Sequence, residues 1–191
     1  MDKLVRGSLL VSQPGLADPN FRSTVVLVTE HNSEGAFGLV LNRRGQHRVA
    51  DLWESLTDQR SEVESQAFVG GPVQPAAVFL LHRREDLAPG EKPVIPGLFL
   101  GSSIDLLRGL LESSAERSAR EPDDFRVYCG YSGWGPGQLD GELRAGGWLI
   151  QSATAEFIFE TKPDLLWQRT MDREGGLYRF FSFMPPSPEM N

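Results

Sequence analysis

The sequence predicts an α+β fold: a single domain with a mostly antiparallel sheet and a few flanking helices. Three observations carry that expectation. Apolar, β-branched runs follow one another without a helix regularly placed between them, which argues against an alternating parallel sheet. Turn chemistry such as Asn32-Ser33-Glu34-Gly35 joins two such runs closely enough for a hairpin. Only a few segments repeat apolar residues at helical spacing, the clearest beginning at Ser103.

The elements follow in chain order. Leu4 to Val11 reads as a strand that ends at Pro14-Gly15, and residues 13–23 form a loop. Within it Asp18 precedes Pro19, which keeps it out of the helical region. Thr24 to Thr29 is β-branched and apolar on both faces, the mark of a central buried strand. Phe37 to Leu41 pairs with it across the Asn32–Gly35 turn. Val49 to Leu56 fits a short helix with Val49, Leu52, Trp53 and Leu56 on one side. Gln66 to Val69 is a short strand running into Gly70-Gly71-Pro72-Val73, and Val78 to Leu81 is a strand ending at His82. Val94 to Leu100 reads as a strand interrupted by Pro-Gly.

Ser103 can cap a helix whose Ile104, Leu107, Leu110 and Leu111 share a face and which ends before Pro122. Phe125 to Tyr131 alternates as a strand, with Phe125, Val127 and Cys129 on one side. Gly130 to Gly137 reads as a glycine-rich loop leading to a helix near Gln138 to Arg144. Gly146-Gly147 ends that helix and Trp148 to Ile150 is a strand. Glu156 to Glu160 fits either a strand or a helix start, and Asp164 to Arg173 fits a helix. One domain is expected over residues 1–184, with a mobile tail over 185–191 around Pro185-Pro186-Ser187-Pro188.

Composition narrows the function. The chain has 191 residues, enough for one domain with a core that needs no staple. Its formal net charge of −7 disfavours attraction to a phosphate backbone, and the short basic cluster Arg43-Arg44 to Arg48 reads as a solvated turn. One cysteine, Cys129, cannot form an internal disulfide, and no apolar run is long enough for a signal core or membrane span. A cytoplasmic location without membrane attachment is the expectation.

Three stretches carry a resemblance. Asp18-Pro19-x-Phe21 is followed by Glu30-His31-Asn32, Gly35, Gly38 and Asn42. Gly70-Gly71-Pro72-Val73 and His82 come next. Gly130-Tyr131-x-Gly133-Trp134-x-Pro136-Gly137-Gln138-Leu139-x-x-Glu142 closes the set. In this order and spacing the chain resembles the AlgH/YqgE family of bacterial proteins over most of its length. The resemblance implies a single α+β domain with a bent, pseudo-barrel sheet. It implies no agreed enzymatic activity and no cofactor, and the family name points to a regulatory role in alginate production.

The residues themselves discriminate among chemistries. Gly130 to Gln138 has the strand–loop–helix layout of a phosphate site. It lacks the Lys-Ser/Thr of a P-loop and the third glycine of a dinucleotide fingerprint, so a turn that packs Trp134 is the better reading. Gln138 and Glu142 are four apart and share a helix face, either lining a cleft beside Tyr131 or facing solvent as an ordinary polar pair. Glu30 and His31 are strand neighbours and point to opposite faces unless a bulge intervenes. His31 and His82 both end strands and could converge with Asp18, although no spacing requires it. No metal-ligand spacing and no nucleophile elbow occurs, and Cys129 reads as a buried, inert thiol.

The expected function is therefore a non-enzymatic regulatory or ligand-binding protein with an unidentified small ligand or protein partner. Its contact surface would gather Asp18, Glu30, His31, Asn42, Gly70, Gly71, His82, Tyr131, Trp134, Gln138 and Glu142. The alternative is an enzyme, such as a hydrolase, using His31 or His82 with a carboxylate. A weaker alternative is a nucleic-acid-binding regulator. No cofactor and no metal is expected.

Overall fold

One long strand organises the sheet. The computed structural model describes residues 3–16, 18–117 and 123–181. In it β8 (Phe125–Trp134) pairs with three other strands along its length. Its first half runs parallel to β5 (Gln66–Val69) and antiparallel to β6 (Val73–His82). Its last three residues, Ser132 to Trp134, pair antiparallel with β3 (Gly35–Val40). Between these regions Gly130 takes φ +70°, and a Cβ there would press on the Gly71 and Val73 carbonyls. β8 changes partners at this glycine, which Gly alone accommodates without strain.

From β3 the sheet continues through β2 (Val25–Asn32) and β1 (Ser8–Ser12) to β9 (Trp148–Ser152). On the other side β4 (Arg44–Arg48) flanks β5, and β7 (Phe99–Gly101) flanks β6. Among the described residues this is one nine-stranded sheet, mixed because of the single parallel β5–β8 pair, and it does not close into a barrel. The sheet stays open, since β4, β7 and β9 each pair on one side only among the described residues.

Among the described residues six α-helices flank the sheet: α1 (Val49–Thr57), α2 (Ile104–Glu116), α3 (Gln138–Arg144), α4 (Ala155–Glu160), α5 (Pro163–Glu174) and α6 (Tyr178–Phe181). Ser103 caps α2 as expected, its hydroxyl accepting from the Leu106 N–H at 3.1 Å. The undecided segment resolves as helix α4, because the Thr154 hydroxyl accepts from the Phe157 N–H at 3.1 Å and caps it.

Strand alternation divides the core. Leu9, Leu27 and Leu39 point to one face, where Ala155, Ile158 and Leu166 of α4 and α5 cover them. Leu10, Val26 and Val40 point to the other, against Phe21, Trp134, Leu139 and Trp148. β2 is thus buried on both faces, as its apolar run predicted. A third cluster joins α1 and α2 to Leu80, Phe125 and Val127.

Three sequence expectations shift. The first strand begins at Ser8 rather than Leu4. The Gly130–Gly137 loop is mostly strand, since β8 runs to Trp134 and only the stretch after it turns. The basic cluster Arg44 to Arg48 is the edge strand β4 rather than a turn. Residues 185–191 lie outside the described residues.

Candidate functional site

The motif residues sit at two levels: some build the fold, others reach the surface. Asn42 belongs to the first group. Its amide oxygen accepts from the Val25 N–H at 2.9 Å and its amide nitrogen donates to the Ser23 carbonyl at 2.9 Å. The side chain thereby extends the β2 hydrogen-bond ladder where β3 has ended.

Gly70 and Gly71 form the crossing between β5 and β6. Gly70 N–H donates to the Cys129 carbonyl at 2.8 Å, and the Gly70 carbonyl accepts from Val40 N–H at 2.8 Å and the Ser132 hydroxyl at 3.1 Å. Gly71 has φ +155°, and a Cβ on it would collide with the Tyr131 backbone. These glycines let two backbones meet where β8 changes partners.

Trp134 is buried, and its ring stacks on Phe21 at 5.7 Å and meets Trp148 edge-on at 6.1 Å. Glu142 ties the two indoles together: its Oε2 accepts from Trp134 Nε1 at 3.0 Å and from Trp148 Nε1 at 2.8 Å. Gln138 completes the network, donating to Glu142 Oε1 at 3.1 Å and accepting from the Gly135 N–H at 3.1 Å. Leu139 is buried and Leu143 packs beside it, so α3 faces inward with the residues its spacing indicated.

Tyr131 lies elsewhere. Its ring stacks on Phe37 at 4.4 Å and meets Phe79 edge-on at 5.9 Å, on the face of the sheet covered by α4 and α5. Glu30 pairs across from Phe37 and so shares that face, while His31 pairs across from Ala36 and shares the face of Trp134. A bulge between Val28 and Glu30 shifts the register of β2, yet the two neighbours still diverge.

At the surface, His31 Nε2 stands 3.9 Å from the Asp140 carboxylate of α3, and both side chains are partly exposed. Asp140 was not singled out from the sequence, although it lies on the short helix between Gln138 and Glu142. Asp18 is exposed and caps the turn that carries Phe21, accepting from the Asn20 N–H at 2.8 Å. Phe21 in turn places the Asp18 turn against the two tryptophans.

His82 does not reach this region. It pairs with Phe125 at one end of β8, whereas His31 connects through Ala36 to Trp134 at the other end. Nine residue steps of strand, at ~3.3 Å each, separate those ends by up to ~30 Å. His82 is fully buried and stacked on Phe99 at 5.7 Å, and burial holds its imidazole below the usual histidine range. Cys129 is half-buried, and burial pushes its thiol up, away from the reactive thiolate. Among the described residues no group of three or more His, Cys, Asp and Glu is placed to hold a metal ion. No helix among them is long and apolar enough to cross a membrane.

Comparison with known proteins agrees with this architecture. A family model described as AlgH-like matches residues 9–179. A UPF0301 protein of Chlorobium chlorochromatii is 35% identical over 190 residues, covering 100% of this chain and 97% of the relative. A UPF0301 protein of Myxococcus xanthus is 40% identical over 166 residues, covering 85% of this chain and 87% of the relative. The solution structure of the AlgH protein from Pseudomonas aeruginosa is similar with a TM-score of 0.72 and 27% identity, covering 97% of this chain and 99% of that one. A crystal structure of a Corynebacterium diphtheriae protein, at 19% identity and a TM-score of 0.71, shares the fold over 96% of this chain and 94% of its own.

Proposed function

The chain belongs to the AlgH-like family, and on that premise we propose that it is a non-enzymatic cytoplasmic binding protein with a regulatory role. Its contact surface is the end of the sheet where the β2–β3 hairpin, the Asp18 turn and α3 meet. The observation that carries this reading is the Glu142 carboxylate, which is held by two indoles and Gln138. An acid group bound in this way serves to fix α3 and the Phe21 turn, and it leaves Asp18, His31 and Asp140 as the polar groups presented outward. The partner is a small ligand or a protein. A net charge of −7 weighs against nucleic acid.

The His31–Asp140 pair supports a second reading, because a histidine beside a carboxylate is also the minimal arrangement of a general base. Two measurements separate the readings. Isotope-labelled protein titrated with a fractionated bacterial metabolite extract should show amide shifts concentrated in residues 30–36 and 137–145. A panel of chromogenic esters and phosphoesters should show no turnover that depends on His31. Turnover abolished by His31→Ala would overturn the binding-protein reading in favour of a hydrolase.

A further inference from the structure

On the opposite face of the sheet from His31, β8 carries two side chains that each leave one hydrogen-bond donor without an acceptor among the described residues. Arg126 and Tyr128 are two residues apart on the strand and point the same way. The Phe68 ring of β5 lies between them, 5.3 Å from the Tyr128 ring and 5.5 Å from the Arg126 guanidinium carbon. From above, Phe159 of α4 holds the guanidinium: its ring centroid is 5.0 Å away, and its carbonyl accepts from Arg126 Nη2 at 3.2 Å. The other terminal nitrogen, Nη1, is buried and meets no acceptor. The Tyr128 hydroxyl, on a fully buried side chain, lies beside the Arg126 guanidinium, and its own proton meets no acceptor among the described residues.

Charge sharpens the observation. None of the ion pairs among the described residues includes Arg126. A second guanidinium reaches the same ring, since Arg44 stands opposite Phe68 in the β4–β5 ladder and lies 5.6 Å from its centroid. Arg44 in turn reaches Asp164, in the first turn of α5, at 3.7 Å. Two cations thus flank one aromatic ring, and among the described residues the inner one has no carboxylate within ion-pair distance.

A guanidinium only donates hydrogen bonds, and burial pushes the Tyr128 hydroxyl above the usual tyrosine range, which keeps its proton in place as a second donor. What completes such a pair is an acceptor, and what balances a half-buried cation is a negative charge. A trapped water would supply only the first. We propose that Arg126 and Tyr128 are the donors of a site for a small oxyanion, a phosphate or carboxylate group, between the β4–β5–β8 face and the α4–α5 junction, with Arg44 on its outer side. The planar fork of arginine suits both anions, because each offers two oxygens at matching spacing. The site stands apart from the His31 surface and does not rest on it.

The test uses the full chain, with inorganic phosphate and succinate as separate probes and sodium chloride to hold ionic strength constant. Wild-type protein should show a saturable rise in melting temperature, and heat on titration, with at least one of the two. A response to phosphate alone assigns a phosphate group, and one to succinate alone a carboxylate. Losing one hydrogen bond to a charged partner should weaken binding about tenfold in Tyr128→Phe. Arg126→Met should abolish it. No saturable response to either anion would overturn the site and leave a buried water as the partner, and so would a Tyr128→Phe variant that binds as tightly as wild type. If Arg126→Met fails to fold, Tyr128→Phe decides alone, since it removes a single oxygen.

Discussion

Glu142 and Trp148 are joined by a 2.8 Å hydrogen bond, and the same carboxylate oxygen holds Trp134 at 3.0 Å. Both tryptophans are buried. Glu142→Ala would therefore strand two buried N–H donors, at about 1–3 kcal/mol each. The expected loss is roughly 2–6 kcal/mol in urea denaturation, with Glu142→Gln, which keeps an acceptor, in between. Gln138→Ala, at an exposed position, should lose under ~1 kcal/mol. Equal stability of Glu142→Ala and wild type would mean that the indoles find other acceptors.

Trp134→Ala tests the packing beneath that network. The ring fills space between Phe21 and Trp148, so its removal should cost roughly 3–5 kcal/mol. At ~2–4 °C per kcal/mol for a domain of this size, the melting temperature should fall by about 6–20 °C. A variant melting at the wild-type temperature would show that the ring contributes nothing to the core.

Gly71 and Gly141 should respond in opposite directions to alanine. At Gly71 a Cβ meets the Tyr131 backbone, and φ is +155°, so Gly71→Ala should yield misfolded or insoluble protein. At Gly141, inside α3, a Cβ meets nothing within 4 Å. Gly141→Ala should stabilise the domain by about 0.5–1 kcal/mol. Calorimetry of the soluble variant and the soluble fraction of the other read both effects.

His82 predicts a pH dependence. Burial lowers its folded-state value below its ordinary 6.5, against the opposing pull of Glu91 and Asp124. The unfolded chain therefore takes up the proton first. The stability held by neutral His82 is complete above pH ~6.5 and declines as pH falls below it, by at most ~1.4 kcal/mol per pH unit. His82→Leu should remove that decline, so the variant's stability relative to wild type should improve between pH 7.5 and pH 5. A constant difference over that range would show that His82 does not titrate differently on unfolding.

How much of this was legible depends on what each residue responds to. β2 and α2 were readable because Val25 to Val28 and Leu107, Leu110 and Leu111 meet the core through their own side chains. β4 was not, because Arg44, Gln46 and Arg48 are polar and the strand exists through its ladder with β5. The end of β8 was hidden for a related reason: Gly130 and Gly133 imitate a loop, but their missing side chains admit the Gly71–Val73 backbone and the Tyr131 ring. At the surface, the Asp18 and His31 loop ends were foreseen. The indole partners of Glu142 were not, since its contact with Trp148 depends on how β9 returns beside α3. Arg126 was hidden by its apolar neighbours Phe125 and Val127, whose face the alternation brought forward.

The pairing of β1 with β9 sets a schedule for synthesis. Ser8 pairs with Ser152, and β2 and β3 complete their sheet only when β8 arrives. While the ribosome is still extending the chain, the apolar hairpin of Val25 to Val28 and Leu39 to Leu41 has no β8 to cover its β3 edge, and β1 beside it has no β9. Contacts so distant in sequence form slowly, and an uncovered hairpin of this kind is prone to associate with other chains in the meantime. The nascent protein should therefore depend on holding chaperones until its last quarter has emerged, and truncation before Trp148 should leave an aggregating fragment rather than a smaller folded domain.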